Sequence, residues 1–78
     1  MAIGTVKLWD GKLGFGFIKQ PAGHDVFIHA EALRKRKIEE IGVGDTVDFD
    51  ITKRYGKAEA ANVTIIKQGL GEVYLIGV

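Results

Sequence analysis

The chain has 78 residues with 46% hydrophobic, eleven glycines, one proline and no cysteine, and a domain of that size buries only about 60% of the surface its unfolded form exposes, so its core must be thin. Without cysteine there is neither a disulfide framework nor a thiolate metal site, and with no secretion-type leader and no apolar run near the ~18 residues of a membrane span we expect a soluble cytoplasmic protein. The net charge of +1 hides a split, seven Lys/Arg against three Asp/Glu in residues 1–38 and four against seven in residues 39–78, which makes the N-terminal half the one expected to attract a polyanion.

Glycines fall between short β-rich runs, the punctuation of an all-β fold. The first predicted strand is Thr5 to Trp9, and Asp10-Gly11 predicts a tight hairpin turn because both residues tolerate positive φ. The chain returns antiparallel over Phe15 to Gln20, breaks at Pro21-Ala22-Gly23, and completes a meander with Asp25 to His29. In residues 30–41 the spacing of Ala30, Leu33, Ile38 and Ile41 around Arg34-Lys35-Arg36-Lys37 fits an amphipathic helix imperfectly; a helical turn near Ala30–Arg34 followed by a basic loop fits equally well. Gly42 and Gly44-Asp45 mark a turn. Thr46 to Thr52 then alternates as a half-buried strand, with Val47, Phe49 and Ile51 on one face and Thr46, Asp48, Asp50 and Thr52 on the other. Arg54-Tyr55-Gly56-Lys57 turns into a fifth strand, Ala58 to Ile66.

Five short strands, with the longest connection between the third and fourth, predict a five-stranded antiparallel oligonucleotide-binding barrel rather than a sandwich of about seven. Closure also removes most unpaired edges. This domain is expected to occupy residues 1–66. Residues 67–78 form an apolar C-terminal tail that is either an added strand or, through Val73, Tyr74, Leu75 and Ile76, a surface for self-association.

Two segments carry the chemistry. In Gly14-Phe15-Gly16-Phe17-Ile18, a strand projects Phe15 and Phe17 from one face and Gly14, Gly16 and Ile18 from the other. Val26-Phe27-Ile28-His29 repeats the pattern, with Phe27 and His29 opposed to Val26 and Ile28. If the aliphatic residues make the core, Phe15, Phe17, Phe27 and His29 form one aromatic surface outside adjacent strands; alternation alone also permits the reverse, with the Phe side inside. An outward patch costs hydrophobic free energy and is rarely kept without a use. Bases supply one, since stacking on an aromatic ring is worth about 1–3 kcal/mol and flanking cations neutralise phosphates. Lys7, Lys12 and Lys19 lie on or beside these strands, and the run Arg34, Lys35, Arg36 and Lys37 follows the third.

Gly4-Thr5-Val6-Lys7, Gly14-Phe15-Gly16-Phe17-Ile18 and Asp25-Val26-Phe27-Ile28-His29, with Gly44, Val47, Phe49 and Ala60-Ala61-Asn62-Val63 after them, resemble the cold-shock domain family over about residues 3–65. The resemblance implies a five-stranded barrel that binds single-stranded DNA or RNA with loose sequence preference, and a chaperone role in melting weak RNA structure. It also implies that Phe15 and Phe17 are a first stacking pair, Phe27 and His29 a second, and that Lys7 lies beside them. His29 can stack neutral or protonated. The chain departs from the family pattern at several places. Leu8 stands where the family usually has Trp, and the aromatic follows one place later as Trp9, a contact only if a bulge reverses the alternation. Ala30 and Ile38 replace aromatics, and Leu13 replaces a Lys. Fewer rings predict weaker binding by about 1–3 kcal/mol each, unless the Arg34–Lys37 cluster compensates through charge and steepens the salt dependence.

Catalysis is not expected. The chain has no serine or cysteine nucleophile, and His24 and His29 share one strand-loop unit instead of standing apart as acid and base. Two such histidines do not make a metal site, Gly14-Phe15-Gly16 leads into a strand instead of the helix a dinucleotide fingerprint needs, and no cofactor is expected. The rival reading is a protein-interaction module whose rim is softened by Leu8, Leu13, Ala30 and Ile38 and whose tail pairs with another chain.

Overall fold

Alternating apolar residues commit the N-terminal third to three strands, β1 (Ala2–Asp10), β2 (Phe15–Lys19) and β3 (Val26–His29). In the computed structural model, which describes residues 2–76, they form an antiparallel meander with Val6 opposite Ile18 and Ile18 opposite Val26. A helix, α1 (Ala30–Lys35), and a short strand, β4 (Glu40–Gly42), lead into the hairpin β5 (Thr46–Arg54) and β6 (Lys57–Lys67); β7 (Val73–Leu75) comes last. The order β1-β2-β3-β6-β5 closes into a barrel. The ring closes through one parallel pair, β3 with β6, Phe27 beside Glu59. Strand direction cannot alternate all the way round a ring with an odd number of members, so a five-stranded closed barrel needs a parallel pair.

The aliphatic side is the core. Val6, Ile18, Val26, Ile28, Val47, Phe49 and Val63 have no exposed surface, and Leu33 and Ile41 are equally buried. Each such side chain contributes about 1.5–3 kcal/mol on leaving water. Ile51, predicted to share the buried face of Val47 and Phe49, is instead 46% exposed, because β5 from Ile51 onward runs past the barrel into an exposed hairpin. The first turn also differs from the two-residue type predicted for Asp10-Gly11. The Asp10 carboxylate accepts the N–H groups of Lys12 and Leu13, both at 2.9 Å, and the left-handed residue is Gly14 (φ 74°). An Asx turn thus widens the loop to residues 11–14.

Residues 30–41 follow the second of the two readings, a short helix and then a basic turn. His29 caps α1, its Nδ1 accepting the Glu31 N–H at 3.0 Å. The helix ends in a Schellman closure: the Ile38 N–H reaches the Leu33 carbonyl at 3.0 Å and the Lys37 N–H the Arg34 carbonyl at 2.9 Å, with Lys37 at φ 58°.

Beyond residue 66 the chain stays on the body of the fold. β7 pairs antiparallel with β4, Tyr74 opposite Ile41, and not with a barrel strand. The Asp45 carboxylate, 4% exposed, holds this layer in place by accepting the Gly42 N–H at 2.8 Å and the Gly69 N–H at 2.7 Å. Gly69 allows the crossing, since a Cβ there would lie 2.3 Å from the Gly44 carbonyl carbon. Alternation turns Tyr74 and Ile76 toward the core and leaves Val73 and Leu75 59% and 80% exposed. Of the residues expected to form an association surface, Val73 and Leu75 point outward, Tyr74 is half-buried and Ile76 is buried. Among the described residues no helix is long and apolar enough to cross a membrane.

Candidate nucleic-acid interface

Because Gly16, Ile18, Val26 and Ile28 point inward, Phe15, Phe17, Phe27 and His29 share the outer face of β2 and β3. Register sets Phe15 opposite His29 and Phe17 opposite Phe27. Phe27 is the hub: its ring stacks on Phe15 (centroids 5.5 Å apart, planes 19°), meets Phe17 edge-on at 5.8 Å and lies 6.4 Å from His29. Phe15 and Phe17 also meet edge-on at 6.3 Å. Each contact is worth about 0.5–1.5 kcal/mol, so the rings hold one another in place half-buried and present a pre-formed apolar floor. His29 is oriented further by its cap on α1.

Trp9 is not part of this floor. A bulge does occur in β1, but at Lys7, so Val6 pairs with Ile18 while Leu8 pairs with Phe17 and Trp9 with Gly16. Leu8 consequently faces out, 48% exposed, and Trp9 faces in, 5% exposed. Gly16 makes room for that arrangement: a Cβ there would lie 2.2 Å from the Leu8 carbonyl oxygen and 2.8 Å from Trp9 Cε3. Two other departures from the family pattern also turn inward, Ala30 at 3% exposure and Ile38 packed against the core.

The predicted cations do not form one cluster. Lys7, the bulge residue, is exposed and pairs with Asp25 at 2.6 Å; Lys19 extends the outer row of Phe15 and Phe17; Lys12 lies in the first turn. The Arg34–Lys37 run is dispersed because Arg34 and Lys35 point about 100° apart in the last turn of α1 and the chain leaves the helix at Arg36 and Lys37. Arg34 pairs with Glu31 at 3.3 Å and faces the turn that carries Lys12 and Leu13. Lys35 and Arg36 line a cleft of about 350 Å³ between α1 and the β5–β6 hairpin, where Arg36 donates to Thr64 Oγ1 at 3.1 Å.

The turn expected at Arg54-Tyr55-Gly56-Lys57 also borders this face, a role the sequence pattern did not suggest. A groove of about 780 Å³ runs from Phe17 and Phe27 to Lys53, Arg54, Tyr55 and Lys57. Tyr55 and Gly56 both have positive φ, 53° and 77°, and Arg54 pairs with Lys57, the geometry of a two-residue primed turn that favours Asn or Gly at its first position. A bulky residue there is strained, and Tyr55 is 93% exposed, with the Arg54 guanidinium 6.0 Å from its ring centre. A tyrosine where the turn prefers Asn was the available signal.

Comparison with known proteins places this geometry in context. Residues 2–66 match the family model described as 'Cold-shock' DNA-binding domain. The cold shock protein CspC of Bacillus subtilis is 40% identical over 63 residues, 81% of this chain and 96% of that protein. The cold shock-like protein CspD of Bacillus cereus is 39% identical over 64 residues, 82% of this chain and 97% of that protein. The Y-box-binding protein 1 of Xenopus laevis is 40% identical over 67 residues, 80% of this chain but 22% of that protein, so the likeness there is to one part of a longer chain.

Proposed function

This chain belongs to the cold-shock domain family, and on that premise we propose that it binds single-stranded RNA or DNA by stacking bases on Phe15, Phe17, Phe27 and His29. The observation that carries the proposal is the outward, mutually braced ring cluster on β2 and β3, bordered by Lys7 and Lys19 and, across one groove, by Lys53, Arg54 and Lys57. Rings accept any base face, and the cations follow the phosphates, so the site tolerates many sequences and does not distinguish the 2′-hydroxyl. Holding bases unstacked from one another without covalent chemistry suits a binding protein and RNA chaperone, not an enzyme.

The test is anisotropy of an end-labelled pyrimidine-rich strand titrated at several salt concentrations, beside the same sequence as a duplex. Buried Trp9 makes a poor reporter, so the label belongs on the strand. Phe17→Ala and Phe27→Ala should each weaken binding about five- to 150-fold while the barrel still unfolds cooperatively. Equal affinity for strand and duplex, or folded ring variants that bind like the parent, would overturn the proposal.

A further inference from the structure

Residues 67–76 lie beyond the segment matched by the family, yet one of their side chains reaches the proposed binding face. Pairing of β7 with β4 turns Tyr74 toward the β1–β2 turn, where Gly11 has no side chain; a Cβ added there would lie 2.8 Å from Tyr74 Cδ1. The ring lies along the turn and borders an open depression of about 770 Å³ whose walls also include Leu8, Lys12, Phe15 and Leu75. Phe15 belongs to the ring cluster. The depression therefore continues the aromatic floor past its β1 side, where Leu8 stands in place of an aromatic.

Resting on the base-stacking reading of that floor, we propose that Tyr74 and Phe15 bound an additional subsite that takes one base of the same single strand. The charges nearby favour an uncharged π-face over a phosphate. Asp10 borders the depression while capping the turn, and Glu72 accepts the Tyr74 hydroxyl. That hydrogen bond raises the phenol above its ordinary pKa, burial and the Glu72 and Asp10 charges adding to it, so Tyr74 stays neutral. With Lys12 alone as a cation against Asp10 on the walls, the subsite's contribution is independent of salt.

A ladder of oligothymidylates, lengthened one nucleotide at a time, tests this against the full chain, Tyr74→Leu, Tyr74→Phe and Phe17→Ala. The parent and Tyr74→Phe should gain roughly five- to thirtyfold in affinity at one step of the ladder, at low and high salt alike, and Tyr74→Leu should lack that step while binding shorter strands normally. Tyr74→Leu retains apolar packing, and its urea midpoint checks that the tail remains folded. If folded Tyr74→Leu follows the parent at every length, the subsite does not exist. If the step vanishes only because the parent self-associates through Leu75 and Val73, sedimentation will show a mass change that Tyr74→Leu abolishes, and that too overturns the subsite. Phe17→Ala separates the premise: unchanged binding of the shortest strands by that variant refutes the floor itself, whatever Tyr74 does.

Discussion

Replacing Tyr55 with Asn should make the protein more stable and a poorer binder at once. An L-residue with a side chain pays about 1–2 kcal/mol in the left-handed region, and Asn much less because its side chain bonds locally. Against that gain stands the loss of the Arg54 contact, at 6.0 Å and exposed worth about 0.5–1 kcal/mol. Little packing is lost, since Tyr55 is 93% exposed. The balance is a stabilisation of about 0.5–1 kcal/mol, which in a domain of this size raises Tm by roughly 2–8 °C. Binding moves the other way. Tyr55 closes the groove that begins at Phe17 and Phe27, and losing a stacking ring at its edge should cost about 1 kcal/mol, near fivefold in Kd, with the salt slope unchanged because Lys53, Arg54 and Lys57 remain. Tyr55→Phe separates ring from hydroxyl and should bind like the parent. Thermal unfolding and strand anisotropy on the three proteins decide the matter. A lower Tm for Tyr55→Asn would show that the turn is not strained, and unchanged affinity would remove the hairpin from the contact surface.

Three further outcomes follow from the geometry. Lys37→Gly relieves the left-handed residue that closes α1 and should raise the urea-derived stability by about 0.5–1 kcal/mol, while lowering the salt slope by no more than about one phosphate contact; a decrease in stability would refute the strain at φ 58°. Gly16→Ala should destabilise by about 2–3 kcal/mol and shift Trp9 emission to the red, because the new methyl group collides with the Leu8 carbonyl and the Trp9 ring; an unshifted spectrum at full stability would show that β1 moves aside without loss. Asp45→Ala leaves the Gly42 and Gly69 N–H groups without their acceptor and should cost about 2–4 kcal/mol, with amides of β7 losing exchange protection before those of the barrel; simultaneous loss would mean tail and barrel unfold as one unit.

Much of the site was legible in the chain because strand periodicity is strict. With Ile18, Val26 and Ile28 on one side, the orientation of Phe15, Phe17, Phe27 and His29 reduces to a single choice, and the family resemblance favoured the outward one. Alternation within the first strand also set Trp9 on the opposite face from Leu8, which is where it lies, because the bulge falls before both residues. The hairpin groove was less visible, since nothing local to Lys53, Arg54, Tyr55 and Lys57 reports that they stand across from Phe17 and Phe27. That proximity comes from the parallel pairing of β3 with β6, which joins residues about thirty positions apart.

The amino-acid order alone determined the five barrel strands and set Phe15, Phe17, Phe27 and His29 together on one side of two of them, because these depend on periods of two residues and on short turns. Only the closed structure decided where the basic run points, which residues of the tail face out, and that Asp45 ties β4 to the start of the tail at Gly69. Those outcomes depend on contacts between distant segments whose spacing leaves no local pattern, and barrel closure brings them together.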